Sequence, residues 1–204
     1  MVYGEEKEMK QFITFEGIDG SGKSTVSKKV FEKLKNDGYD VVLTFEPTDT
    51  WIGKCVSDFI KKDKDPYSTA FAFIADRINH CKKIKNWIDE GKIVLCDRYA
   101  DSTYAYQGAQ IKDDIKNPMK WLKELSDDKI LKPDVTFLFV IDPEESLKRI
   151  QNRSELIPFE RLDFLKKVQK NYMNLSKQKQ FINLDATKEI DELLKLCINE
   201  IIKI

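Results

Sequence analysis

The chain has 204 residues, 34% of them charged, with 35 basic and 35 acidic side chains. That length suits one domain, residues 1–204, able to build a core without disulfides or a structural metal. The even balance excludes a nucleic-acid binder held by a general basic field, though not a local basic pocket. Cys55, Cys81, Cys96 and Cys197 lie far apart and form no Cys-x-x-Cys pair, so reduced thiols are expected. Met1 to Lys10 is charged and no apolar run approaches membrane-spanning length, which predicts a cytoplasmic protein with no membrane partner.

Short apolar runs alternate with helical patterns along the chain. Gln11 to Glu16 reads as a first strand, and Lys23 to Asn36 as a helix closed by Asp37-Gly38. Asp40 to Phe45 is a second strand. Tyr67 to Glu90 is a long helix ended by Gly91, with Phe71, Ile74, Ile78 and Cys81 as its core stripe. Lys92 to Cys96 is a third strand. Pro133 precedes a fourth, Val135 to Ile141, and a helix starts after Asp142-Pro143. Phe181 to Leu184 is a fifth strand, and Lys188 to Ile202 a last amphipathic helix. Strands apolar on successive residues, such as Ile93-Val94-Leu95, suit a sheet covered on both faces. Their alternation with helices predicts an α/β fold with a parallel sheet, whose sites lie at the carboxyl ends of the strands.

After the first strand comes Gly17-Ile18-Asp19-Gly20-Ser21-Gly22-Lys23-Ser24-Thr25, the complete Gly-x-x-x-x-Gly-Lys-[Ser/Thr] pattern. Its glycines let backbone N–H groups turn around phosphate oxygens, and the following helix aims its positive end at them. Lys23 would neutralise the β- and γ-phosphates of ATP, and Ser24 would ligate Mg²⁺. Asp97 follows the third strand, where an aspartate holds the Mg²⁺ shell, and Arg98 would reach the phosphates being exchanged. Phe73 and Arg77, four apart on the long helix, share a face. They either stack on a base and grip a phosphate or base edge, or Phe73 joins the core while Arg77 pairs with Asp76 or another acid. His80 on the same face reads as structural. Ser102-Thr103-Tyr104-Ala105-Tyr106-Gln107-Gly108 either reads a base edge or is a helix start capped by Ser102 or Thr103. Arg149 and Arg153, four apart, are candidates to offset transition-state charge on the γ-phosphate. If the acceptor were a free nucleoside, Glu46 would be the carboxylate base. A regulatory nucleotide switch is the third reading.

The ordered set formed by the phosphate loop, Glu46-Pro47, Phe73 to Arg77, Asp97-Arg98-Tyr99, Ser102 to Gly108, Phe159-Glu160 and Asp185-Ala186-Thr187 resembles the thymidylate kinase family over nearly the whole chain. The resemblance implies a P-loop kinase fold with a five-stranded parallel sheet and a lid near residues 150–160. It also implies ATP-dependent phosphorylation of dTMP and, usually, a homodimer. By the same resemblance Phe73 would stack on thymine and Arg77 would meet the base edge. Asp19 would lie near the 3′-hydroxyl, and Arg98 would hold the acceptor phosphate. Ser102, Thr103 and Gln107 would lie at the base, Tyr106 would crowd the sugar against a 2′-hydroxyl, and Ala186 would sit near adenine. Some relatives carry an arginine inside the phosphate loop. This chain has Gly20 there and so resembles those that place their basic groups on the lid. It departs from many relatives at Phe45 and Pro158, where they carry arginine.

Overall fold

The computed structural model describes residues 11–62, 65–150 and 161–203. Five strands, β1 (Phe12–Glu16), β2 (Val41–Phe45), β3 (Ile93–Asp97), β4 (Val135–Val140) and β5 (Phe181–Asp185), form one sheet. They run in the order β2-β3-β1-β4-β5 with every pairing parallel. Parallel neighbours require long crossovers, which the helices supply. These are α1 (Lys23–Asn36), α2 (Trp51–Lys61), α3 (Pro66–Asp89), α4 (Ala100–Gln110), α5 (Pro118–Glu124), α6 (Pro143–Ile150), α7 (Leu162–Leu175) and α8 (Ile190–Ile201). The result is the predicted α/β P-loop kinase architecture, with strand ends within one or two residues of those read from sequence.

The central strand β1 is buried at all five positions, whereas the edge strands β2 and β5 are partly exposed. Phe15 of β1 packs against Phe137 and Phe139 of β4, with ring centroids 5.5 and 6.4 Å apart. Because all strands point one way, the ends of β1, β2 and β3 bring Glu16, Phe45 and Asp97 to a single edge of the sheet. The four cysteines are free, and Cys81, Cys96 and Cys197 are buried. Among the described residues no helix is long and apolar enough to cross a membrane.

Two local readings need correction. The buried face of α3 is Ala70, Ile74, Arg77, Cys81 and Ile84, spaced as one face of a helix must be. Phe71 lies one residue off that stripe, is 50% exposed, and has its ring edge-on to Trp121 at 6.1 Å. Hydrophobicity favoured Phe71, but the face that carries Arg77 and His80 is the one turned inward. The start of α4 is also not capped by Ser102 or Thr103: its N-cap position is Tyr99, with no side-chain cap from its own segment. The carboxylate of Glu16, from β1, receives the N–H groups of Tyr99 and Ser102 instead, at 2.8 and 3.2 Å. Helices α2, α5 and α7 were not anticipated. Of these, α2 is capped by Thr50, whose hydroxyl accepts the Gly53 N–H at 3.2 Å.

Candidate active site

The phosphate loop joins β1 to α1, and its glycines take the conformations other residues resist. Gly17, Gly20 and Gly22 have φ of 145°, 79° and 85°. Gly20 has a second constraint. A Cβ there would lie 2.5 Å from the carbonyl oxygen of Ser146 on α6. The Ser146 hydroxyl also donates to the Asp19 carbonyl, so α6 closes directly over the loop. The Gly20 position is therefore roofed by backbone.

A cavity of about 450 Å³ opens beside the loop, lined by Asp19, Gly20, Gly22, Lys23, Ser24 and Thr25 and, from the facing strand ends, Phe45, Glu46, Asp97 and Arg98. Ile18 and Ser21 lie buried beneath. The ammonium of Lys23 sits 3.5 Å from the Ile18 carbonyl and 3.9 Å from Asp19. Burial, with repulsion from Arg98, pulls its pKa down to about 8. A phosphate entering the cavity supplies the negative charge that restores it. Ser24 is exposed at the start of α1. Asp97 ends β3 with Oδ1 buried and without a hydrogen-bond partner.

Asp19 divides this cavity from a second one of about 130 Å³. That pocket is lined by Asp19, Pro47, Ile60, Phe73, Arg98, Ser102, Tyr106 and Gln107. Six residues predicted for the acceptor thus converge on one small pocket, although they come from four separate stretches of sequence. Arg98 donates from Nη2 to Asp19 at 2.6 Å and from Nη1 to the Gly17 carbonyl at 3.2 Å. Its backbone φ is +67°, a left-handed conformation that an arginine adopts only when its surroundings demand it. Its guanidinium lies 5.2 Å from the centre of the Tyr106 ring. The Tyr106 hydroxyl donates to the other Asp19 oxygen at 3.0 Å. Burial pushes the Asp19 carboxyl up, but Arg98, Lys23 and Tyr106 more than offset this and hold it well below the usual carboxylate range.

Other predicted residues stand behind the pocket rather than in it. Arg77 is fully buried and pairs with Glu46 at 2.8 Å, the acid that sequence could not name; Asp76 instead accepts from Thr48 and Thr50. Arg77 also donates to the Tyr99 carbonyl and to the Thr103 hydroxyl, at 3.1 and 2.9 Å, and its Nη1 is buried without a partner. Thr103 is equally buried. The other Glu46 oxygen is 3.0 Å from His80 Nδ1, whose Nε2 meets Thr44 at 2.8 Å. His80 is therefore structural, and Glu46 is engaged on both oxygens, which leaves it no part as a free base. The hydroxyl of Ser102, though Ser102 lines the pocket, turns to Glu16 at 2.6 Å. Gln107 bonds Gln110 at 3.3 Å. Ala186 is buried, and its carbonyl accepts from Arg149 Nη1 at 3.1 Å. Arg153 lies outside the described residues, as does most of the expected lid.

Sequence reasoning gave Glu16 and Tyr172 no role, yet they meet at 2.9 Å beneath the pocket. The signal for Glu16 was present: an acid closing a central, fully buried strand must be satisfied by buried donors.

Residues 15–196 match the family model described as Thymidylate kinase. A Methanosarcina mazei protein described as "Probable thymidylate kinase" is 39% identical over 95% of this chain and 96% of its own. Proteins with the same description from Sulfurisphaera tokodaii and Methanocaldococcus jannaschii are 42% and 40% identical, over 91% and 87% of this chain and 92% and 88% of theirs. With the fold, the phosphate loop and nine-tenths of the length in agreement, the chain belongs to the thymidylate kinase family.

Proposed function

We propose that the protein transfers the γ-phosphoryl group of ATP to dTMP, giving dTDP. The observation that carries this reading is the pair of cavities that share Asp19. One is a phosphate loop with Lys23; the other is a small pocket with Phe73 in its wall, and Arg98 lines both. A phosphate-bearing acceptor explains why an arginine stands where a free nucleoside would need a base. Arg98 orients the acceptor phosphate, Lys23 offsets charge on the β- and γ-phosphates, and Phe73 offers a face to the base. Arg77 stands behind that pocket, held by Glu46 and Thr103, and keeps one buried nitrogen, Nη1, without a partner.

Asp97 and Ser24 fit Mg²⁺: a hard cation takes carboxylate and hydroxyl oxygens, and Asp97 keeps a buried oxygen free of other partners. The ion, when bound, neutralises phosphate charge. Arg149 reaches the Ala186 carbonyl, which supports a place for both near the adenine of ATP. Arg149 and Arg153 both remain candidates to offset charge on the transferring group. Arg153→Ala should lower turnover at saturating substrates by roughly tenfold, the worth of one charge-assisted hydrogen bond, with acceptor KM held. A rise in acceptor KM with turnover unchanged would move that role elsewhere. Exposed Trp51 and Phe71 support self-association as a homodimer.

The deciding assay compares dTMP, thymidine and a ribose monophosphate as acceptors, with ATP and Mg²⁺, for the wild type, Tyr106→Ala and Tyr106→Phe. The wild type should use dTMP and leave thymidine unchanged. Removing the ring should narrow the deoxy-to-ribo preference by about tenfold, while phenylalanine, which keeps the ring, should preserve it. Use of thymidine in preference to dTMP would replace this reading with a nucleoside kinase. An unchanged ratio in Tyr106→Ala would show that another side chain guards the sugar.

A further inference from the structure

Glu16 is the last residue of the central strand and has no exposed surface. Four donors converge on its carboxylate. Oε1 accepts the backbone N–H groups of Tyr99 and Ser102, at 2.8 and 3.2 Å. Oε2 accepts the hydroxyls of Ser102 and Tyr172, at 2.6 and 2.9 Å. The two backbone N–H groups can only donate, and the two hydroxyls turn their hydrogens to Oε2, so the arrangement supplies four hydrogens to the carboxylate. Burial raises the Glu16 pKa, and these bonds and nearby Arg98 oppose that rise.

Two of the four donors, the Tyr99 N–H and the Ser102 hydroxyl, tie Glu16 directly to Arg98. The Arg98 N–H is bonded to the Phe15 carbonyl at 3.0 Å, and the next N–H, that of Tyr99, is bonded to Glu16. The left-handed turn at Arg98 is thus clamped to consecutive residues of β1. On the side-chain end, Arg98 Nη1 donates to the Ser102 hydroxyl at 3.1 Å, and that hydroxyl gives its own hydrogen to Glu16. Both ends of the arginine are referenced to one carboxylate. Tyr172 adds α7 to the same node.

We propose that Glu16 is a positioning residue for phosphoryl transfer. It holds Arg98 in its strained backbone conformation and aims the guanidinium across the acceptor pocket. This rests on the reading that Arg98 grips the acceptor phosphate. A group that only stabilised the fold would affect both substrates alike. A group that acts through Arg98 affects the acceptor, and does so only while Arg98 is present.

The test is a double-mutant cycle on Glu16→Gln and Arg98→Ala, with each variant assayed over a range of dTMP at saturating ATP and Mg²⁺. Binding of ATP alone is measured by calorimetry and folding by thermal melting. Glutamine can keep an oxygen toward the two backbone N–H groups but forces both hydroxyls to turn. The dTMP KM should therefore rise about tenfold while ATP affinity stays within about twofold. In the Arg98→Ala background the same change should add less than about twofold. Effects that multiply would overturn the proposal and leave the role of Arg98 standing. An Arg98→Ala protein with unchanged acceptor KM would sink both. If Glu16→Gln does not fold, Tyr172→Phe removes one donor and leaves the carboxylate in place. It should raise the acceptor KM about threefold with Arg98 present and leave it unchanged without it; equal effects in both backgrounds would again overturn the proposal.

Discussion

Lys23→Ala is expected to cut phosphoryl transfer by about a hundredfold or more while the protein stays folded. The lysine lies over the phosphate loop, bonded to the Ile18 carbonyl and facing Asp19, so no core packing depends on its ammonium. In the resting site its charge is opposed by burial and by Arg98, and that field favours an arriving anion. The charge it faces grows as the phosphoryl group moves, so its loss should appear in kcat as well as in ATP affinity. Folding is checked by thermal melting, and rate by ADP release that depends on acceptor. Activity within a few-fold of wild type would remove Lys23 from the chemistry.

The second large effect is on stability. Glu46→Ala removes the partner of a fully buried guanidinium and leaves His80 Nδ1 facing an empty space. Breaking a buried pair from one side costs about 3–5 kcal/mol, because the remaining charge cannot reach water. Set against a typical domain stability of about 5–15 kcal/mol, that is a large share. Urea unfolding should show a sharply lowered midpoint with an unchanged slope. Glu46→Gln, which keeps an acceptor for Arg77, should lose less. A loss under about 1 kcal/mol for the alanine variant would mean that solvent or a repacked neighbour reaches Arg77.

These two residues also mark what was legible in the sequence. The phosphate loop is contiguous, so its residues, their roles and the strand and helix around them could be read directly. The five strands could be read because apolar runs in a doubly covered sheet leave no ambiguity of face. Arg77 and Glu46 lie 31 positions apart, and neither residue's hydropathy announces a buried pair. The same limit misplaced Phe71: the stripe was chosen by apolar content, whereas packing between α2, β3 and α4 selected the face with Arg77 and His80. Helices α5 and α7 are short or strongly charged on their outer faces, and their apolar residues gain meaning against α4 and, for α7, α6. The acceptor pocket as a whole was legible only as an ordered set of motifs, because its walls come from distant segments.

Asp19, which with Arg98 lines both cavities, has a further consequence. One carboxylate holds Lys23 on the donor side and Arg98 and Tyr106 on the acceptor side. A nucleotide that draws Lys23 away changes the field under Arg98, and an acceptor phosphate that draws Arg98 away changes the field under Lys23. The affinities of the two substrates are then linked and, as equilibrium quantities, linked reciprocally. The factor by which bound ATP alters the dissociation constant of dTMP must equal the factor by which bound dTMP alters that of ATP. Asp19→Asn should move both toward one together.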